Sequence, residues 1–137
     1  MAFANPPDSV LRTILATSMR VAVVGCSPDP WRDSNEVARV LIDKGHAVVP
    51  VNPRAGEILG RKSYPSLRDV PQPIDMVDIF RRPEEVGPIV DDAIAVAARI
   101  VWMQLGVINE EAAQRAAAAG LVVVMDRCPA IEYRRLF

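Results

Sequence analysis

The chain has 137 residues, half of them hydrophobic and 24% charged, with a formal net charge of −1. That length holds one domain with a real core and is short for two, and the apolar content argues against a disordered chain. The near-neutral balance offers no general basic surface to nucleic acid.

Asp8 to Thr17 carries Val10, Leu11, Ile14 and Leu15 at helical spacing, which predicts a short lead-in helix within residues 1–19. Val21 to Cys26 reads as a buried strand entering a turn at Gly25. DSNEVARVLIDKG follows as a helix, with Asp33 and Glu36 spaced as a capping box, Val37, Val40 and Leu41 facing inward, and Gly45 as the stop. His46 to Val51 (HAVVPV) reads as a second strand, in which Pro50 has no N–H to give and therefore belongs near an edge or at a lapse in pairing. A short edge strand is expected near Gly60 to Tyr64, and Asp75 to Phe80 is expected as a further strand. Val86, Ile89, Val90, Ala93, Ile94 and Ala97 keep helical spacing, with Pro83 suited to a first turn and Gly87-Pro88 to a delay or kink. IVWMQ is a strand, NEEAAQRAAAAG an alanine-rich helix ended by Gly120, and LVVVM the last strand.

Continuous apolar runs alternating with helices indicate a parallel sheet covered on both faces. The expected fold is α/β: a Rossmann-like doubly wound parallel sheet of five to six strands in three α/β/α layers, formed by residues 1–137 as a single domain. No apolar run approaches the roughly 18 residues that cross a bilayer. The opening stretch lacks the basic start, apolar core and cleavage site of a secretory signal, so a cytoplasmic location is expected. Cys26 and Cys128 have neither metal-ligand spacing nor a disulfide framework, which fits free thiols in a reducing compartment.

In open parallel sheets the ligand sits beyond the carboxyl ends of the strands, where strand order reverses. That rule selects Gly25-Cys26-Ser27-Pro28, Asn52-Pro53-Arg54, Phe80-Arg81-Arg82-Pro83, Gln104-Leu105-Gly106 and Asp126-Arg127-Cys128-Pro129. Arginine stands in three of these five loops, which points to an anionic ligand. His46 opens the second strand at the opposite edge and reads as structural; no Ser-His-Asp set or metal-ligand cluster is present.

Each loop carries a bland reading beside the functional one. Gly25 suits a tight turn before a helix whose free N–H groups and dipole favour phosphate, yet glycine also serves short connections generally. Ser27 and Pro30 stand where a dinucleotide fingerprint wants glycines, and Asp33 as a cap would compete with an anion. After the second strand, Val51, Asn52, Pro53 and Arg54 replace the acidic residue that usually holds the NAD ribose. An arginine there suits the extra ribose phosphate of NADP or coenzyme A, or is simply solvated. Phe80 is a flat ring or ordinary core; Arg81 and Arg82 fork phosphate oxygens or pair with Glu84 and Glu85. Cys26 reads as a small buried hydrophobe or, near a helix start, a reactive thiol. Trp31 and Trp102 are expected to pack or to edge a pocket, and Asp78 to accept backbone N–H bonds from a neighbouring loop.

VAVVGCSPDPWRDSNEV, VVPVNPR, SYPSLRDVP, DMVDIFRRPEEV, WMQLGVINEEAA and VVVMDRCPAIEYRRL together resemble the small stand-alone CoA-binding proteins. These are related in fold to the N-terminal domain of the α subunit of succinyl-CoA synthetase. The resemblance implies coenzyme A or an acyl-CoA lying across the strand ends. Gly25, Cys26 and Ser27 would meet the pyrophosphate, with Arg32, Ser34 and Asn35 nearby at the helix start. Val51, Asn52, Pro53 and Arg54 would surround the adenosine part and its 3′-phosphate. Phe80, Arg81 and Arg82 would flank the nucleotide or the pantetheine arm, and Gln104 would lie further along. The family often has Ala at Cys26 and Arg-Pro-Ser where this chain has Arg32-Asp33-Ser34.

Two classes of function follow. One is a non-catalytic carrier, sensor or accessory module that binds the small-molecule ligand; neither nucleic acid nor membrane is expected as a partner, and nothing in the sequence specifies a protein partner or homo-oligomer. The other is an NADP-dependent oxidoreductase or an acyl-CoA-handling enzyme, with Cys26, Tyr64 or Asp126 as the proton donors available. A third idea is a mixed disulfide between the ligand thiol and Cys26 or Cys128.

Overall fold

The computed structural model describes residues 3–137. In chain order the main elements are α1 (Asp8–Ala16), β1 (Arg20–Val24), α2 (Asp33–Asp43), β2 (Ala47–Val51), β3 (Glu57–Ile58), β4 (Arg61–Lys62), β5 (Met76–Ile79), α3 (Val86–Ala95), β6 (Ile100–Met103), α4 (Glu110–Ala118), β7 (Val122–Val124) and α5 (Pro129–Leu136). The lead-in helix and the alternating strands stand where the apolar spacing predicts them. The last helix, α5, has no counterpart among the expected elements.

Five parallel strands form one sheet in the order β2-β1-β5-β6-β7, and β3 pairs with β4 as a separate antiparallel hairpin. The chain steps from β1 outward to β2, then returns to the other side of β1, so the order reverses between β1 and β5. This is the doubly wound α/β arrangement, and it brings the loops after β1 and β5 side by side.

Side chains alternate between two cores. Ala22, Val24, Val77, Ile79, Val101 and Met103 face the layer of α3 and α4, while Val21, Val23, Met76, Ile100 and Trp102 face that of α1, α2 and α5. Burial on both faces is why the strands read as unbroken apolar runs. Pro50 lies on the edge strand β2, and its missing N–H falls on the outer side, where its carbonyl accepts from the Tyr64 N–H at 3.1 Å. Tyr64 returns a carbonyl to the Asn52 N–H at 2.9 Å, so the edge expected near Gly60 to Tyr64 survives as one bridge beside a hairpin. At the opposite edge the Asn5 side chain stands in for a strand residue: its Nδ2 donates to the Met125 carbonyl at 2.8 Å and its Oδ1 accepts from the Met125 N–H at 2.7 Å. Among the described residues no helix is long and apolar enough to cross a membrane.

Helix α5 is tied to α1 by charge and by a buried relay. Arg135 forks the Asp8 carboxylate at 2.8 and 3.0 Å and also pairs with the buried Glu132 at 2.9 Å. His46, at the foot of β2, accepts at Nδ1 from the Met19 N–H at 3.2 Å, and its Nε2 faces the Tyr133 hydroxyl, which donates to the Leu15 carbonyl at 2.7 Å. With that hydroxyl proton committed to Leu15, His46 donates from Nε2 and is neutral. All three groups are satisfied, which explains how polar atoms persist there.

Burial lowers the His46 pKa from its ordinary 6.5. Above 6.5 both folded and unfolded chains hold a neutral imidazole and the stability is fully present. As pH falls below 6.5 the unfolded chain takes up a proton that the folded one resists, so stability is lost. Urea midpoints measured across this window should therefore fall with acidification for the parent chain, and His46→Gln should remove that part of the slope.

Candidate functional site

At the reversal between β1 and β5 a cleft of about 740 Å³ opens on the carboxyl side of the sheet. Of the expected site residues it is lined by Gly25, Ser27, Arg32, Ser34, Phe80, Arg81 and Arg82, and in addition by Trp31 and Asp33. Its floor is set by Gly25, whose N–H donates to the Val51 carbonyl at 2.9 Å and whose φ is +85°. A Cβ there would lie 2.3 Å from the Phe80 carbonyl oxygen, so only glycine lets the two loops meet.

The loop above this floor is held from within. Ser34 Oγ accepts from the Ser27 N–H at 2.9 Å, Asn35 Nδ2 donates to the Ser27 carbonyl at 2.9 Å, and Asn52 Nδ2 donates to the Cys26 carbonyl at 2.9 Å. The Trp31 N–H donates to Asp29 Oδ1 at 3.0 Å, fixing the turn on which an indole 91% exposed stands at the cleft wall. The expected capping box is corrected here: the turn carries the chain on to Arg32, which is the N-cap without a side-chain cap bond, and Asp33 is the first helical residue. The first-turn amides of Asp33 and Ser34 therefore have no intrahelical partner and no capping carboxylate.

The arginines divide into two kinds. Arg81 pairs with Glu85 at 2.7 Å, and Arg82 pairs with Glu85 at 3.1 Å and Glu84 at 3.6 Å, so the ion-pair reading holds for both while both still face the cleft. These hydrogen bonds, from Arg82 first and Arg81 second, hold the Glu85 carboxyl below its usual range. The side chains of Arg32 and Arg54, both exposed, have no partner among the described residues.

Two further cavities continue from the cleft. One of about 470 Å³ shares Gly25 and Arg81 with it and is walled by Val51, Pro53, Leu67 and Ile89. Another of about 250 Å³ shares Phe80 and Asp33 and is walled by Val37, Gln104, Leu105, Cys128 and Ile131. Asn52 turns its Oδ1 to the Arg54 N–H at 2.8 Å, bracing the second loop, and Arg54 lines none of the three spaces. Trp31, expected to pack or to edge a pocket, edges the cleft, and Cys128, in one of the five strand-end loops, lines the smaller cavity.

Beneath the loops lie buried polar groups. Cys26 is fully buried and its thiol is pushed up to about 11, by burial first and by Asp78 second, so of its two readings the small buried hydrophobe holds and the reactive thiol does not. Asp78 is fully buried between Val23 and Trp102 in register, neither carboxyl oxygen has a partner, and burial raises its pKa well above the ordinary value. The backbone bonds expected for Asp78 are absent. Gln104 is buried with its Oε1 unpartnered, and Trp102 packs in the core with its indole N–H donating to the Arg127 carbonyl at 2.9 Å.

The chain and its fold have relatives among known proteins. A protein-family model described as a CoA binding domain matches residues 19–134. The uncharacterised protein YneT of Bacillus subtilis is 40% identical over 124 residues, 90% of this chain and 92% of YneT. A hypothetical protein of Pyrococcus horikoshii superposes with a TM-score of 0.91 at 41% identity, covering 99% of each chain. The dinucleotide-forming acetyl-coenzyme A synthetase 1 of Ca. Korarchaeum cryptofilum, in its apo form, matches 82% of this chain with a TM-score of 0.72 and 28% identity, and the chain spans 27% of that larger protein.

Two outcomes test the local reading. Gly25→Ala must strain the backbone and strike the Phe80 carbonyl, and is expected to lower unfolding free energy by about 3 kcal/mol in urea titrations. Asp78 has a folded pKa above 3.8, so its contribution is fully present below 3.8 and lost as pH rises through the folded value. Relative to Asp78→Asn, the parent chain should therefore become steadily less stable with rising pH above 3.8, read from urea midpoints.

Proposed function

We propose that this chain, which belongs to the CoA-binding domain family, holds coenzyme A or an acyl-CoA across the carboxyl ends of its strands, as a carrier, sensor or accessory module. The observation that carries this reading is the cleft at the strand-order reversal. There the unpaired guanidinium of Arg32, the forks of Arg81 and Arg82 and the free first-turn amides of α2 converge on one space. Such a donor set fits a pyrophosphate.

The residues take separate roles. Gly25, Cys26 and Ser27 form the turn beside which the pyrophosphate lies, with the Gly25 and Ser27 N–H groups held by Val51 and Ser34 and the Cys26 thiol turned into the core. Arg32 supplies charge and Ser34 the helix start, whereas Asn35 shapes the loop, its amide engaged with Ser27 and Arg39. Val51, Asn52 and Pro53 flank the adenosine, with Arg54 free for its 3′-phosphate. Phe80 lies between the phosphate cleft and the smaller cavity, and Arg81 and Arg82 close the nucleotide side. The orphaned Oε1 of Gln104 suits an amide N–H of the pantetheine arm. An oxidoreductase reading lacks such support: the Cys26 thiol is buried, and neither Tyr64 nor Asp126 lines the cleft.

Calorimetric titration of ligand-free protein with coenzyme A, its 3′-dephospho form, NADP and NAD tests the proposal. Coenzyme A should bind most tightly. Arg54→Ala should weaken it about tenfold, as expected for one charge-assisted hydrogen bond, and leave the dephospho form almost unchanged. Tighter binding of NADP than of coenzyme A would overturn the reading.

A further inference from the structure

The cavity of about 250 Å³ beside the phosphate cleft sets apolar residues beside Asp33, Glu36, Arg134 and Gln104 in its lining. Gln104, only 5% exposed and without a partner for Oε1, stands in its wall, and Leu105 and Ile131 are exposed at its rim. Cys128 lines the same space. The sulfur is carried on a fixed support: Cys128 is the N-cap residue of α5, and the preceding Arg127 donates its N–H to the Met103 carbonyl at 3.3 Å and accepts from the Trp102 indole at 2.9 Å. An unpaired, buried acceptor in the wall of such a cavity calls for a donor from a ligand. The free thiol beside it calls for a sulfur partner.

We propose that Cys128 meets the thiol end of the bound ligand, and that the protein takes up coenzyme A covalently, as a reversible mixed disulfide, from coenzyme A disulfide. This rests on the coenzyme A reading above, and the span of the sheet supports it. From β1, where the pyrophosphate would lie, to β7, which leads into Cys128, the sheet order counts three strand steps, about 14 Å at the usual spacing. The arm from phosphate ester to sulfur has about a dozen bonds, the reach of about four residues of extended backbone or about 14 Å. An arm laid along the strand ends, through the cavity that shares Phe80 and Asp33 with the cleft, thus brings its sulfur to the β7 loop. Cys26 is excluded from this role, being fully buried under β1 with a thiol pushed up to about 11.

The step is a thiol–disulfide exchange. Cys128 loses its proton to solvent, and its Sγ attacks one sulfur of the coenzyme A disulfide. A new Sγ–S bond forms as the old S–S bond breaks, and the second coenzyme A leaves as a thiolate that takes up a proton. One disulfide is consumed and one is formed, so no further oxidant is needed, and an added thiol reverses the reaction.

Reduced protein incubated with coenzyme A disulfide and analysed by intact mass should gain one coenzyme A less two hydrogens, lost again on treatment with dithiothreitol. Peptide mapping of the unaltered chain should locate the adduct on Cys128, and Cys128→Ser should lose it. Glutathione disulfide should react more slowly by about tenfold or more, because binding makes the exchange with coenzyme A effectively intramolecular. Parallel calorimetry separates the two readings. Binding of coenzyme A without any adduct, an adduct mapped to Cys26, or equal rates with glutathione disulfide would overturn the Cys128 proposal alone. Absence of both binding and adduct would overturn it together with the coenzyme A reading.

Discussion

The approach of Gly25 to the Phe80 carbonyl governs the geometry of the whole ligand face. Three chain segments meet at this one residue: its N–H is bound by Val51 at the end of β2, its backbone turns left-handed after β1, and its missing side chain leaves room for Phe80 after β5. Strand order reverses at the same place, so crossovers on opposite faces of the sheet diverge here and leave a crevice. Were these loops farther apart, the first-turn amides of α2 and the guanidinium groups of Arg81 and Arg82 would face different spaces. The glycine therefore acts through packing as much as through backbone freedom.

Charge is distributed with the same economy. A chain with a net charge of −1 places Arg54, Arg81, Arg82 and Arg127 in the strand-end loops; it pairs Arg81 and Arg82 with Glu84 and Glu85 and, among the described residues, leaves Arg32 and Arg54 unpaired. The paired forks are held in place before any anion arrives, and the unpaired ones retain full attraction. Beneath them the buried Asp78 and the acceptor of Gln104 lack hydrogen bonds, which a fold selected for stability alone would avoid.

The sequence was most informative where burial is two-sided. Continuous apolar runs such as Val21–Val24 and Ile100–Met103 leave little choice but central parallel strands, and Pro50 marked the edge because its nitrogen cannot donate. Helix α5 escaped notice because it is short, begins at proline and mixes arginines with its apolar residues; its buried face depends on partners such as Asp8 and His46, distant in sequence. Asp33 fitted a capping spacing, but a turn stabilised by Asp29 moved the cap to Arg32. The loop positions bordering the cleft were legible from the strand-end rule. The choice between a buried and a reactive Cys26, and the space that Cys128 would line, were left open, because both depend on how α2 and α5 pack over the sheet.

Backbone amide chemical shifts, followed while coenzyme A is titrated into isotope-labelled protein, test the central claim most directly. The account predicts that the largest changes fall on Gly25 to Ser27, Asp33 to Asn35 and Phe80 to Arg82, with smaller ones reaching Gln104 and Cys128. Changes centred instead on the opposite edge of the sheet, around His46 and the foot of β2, would contradict it.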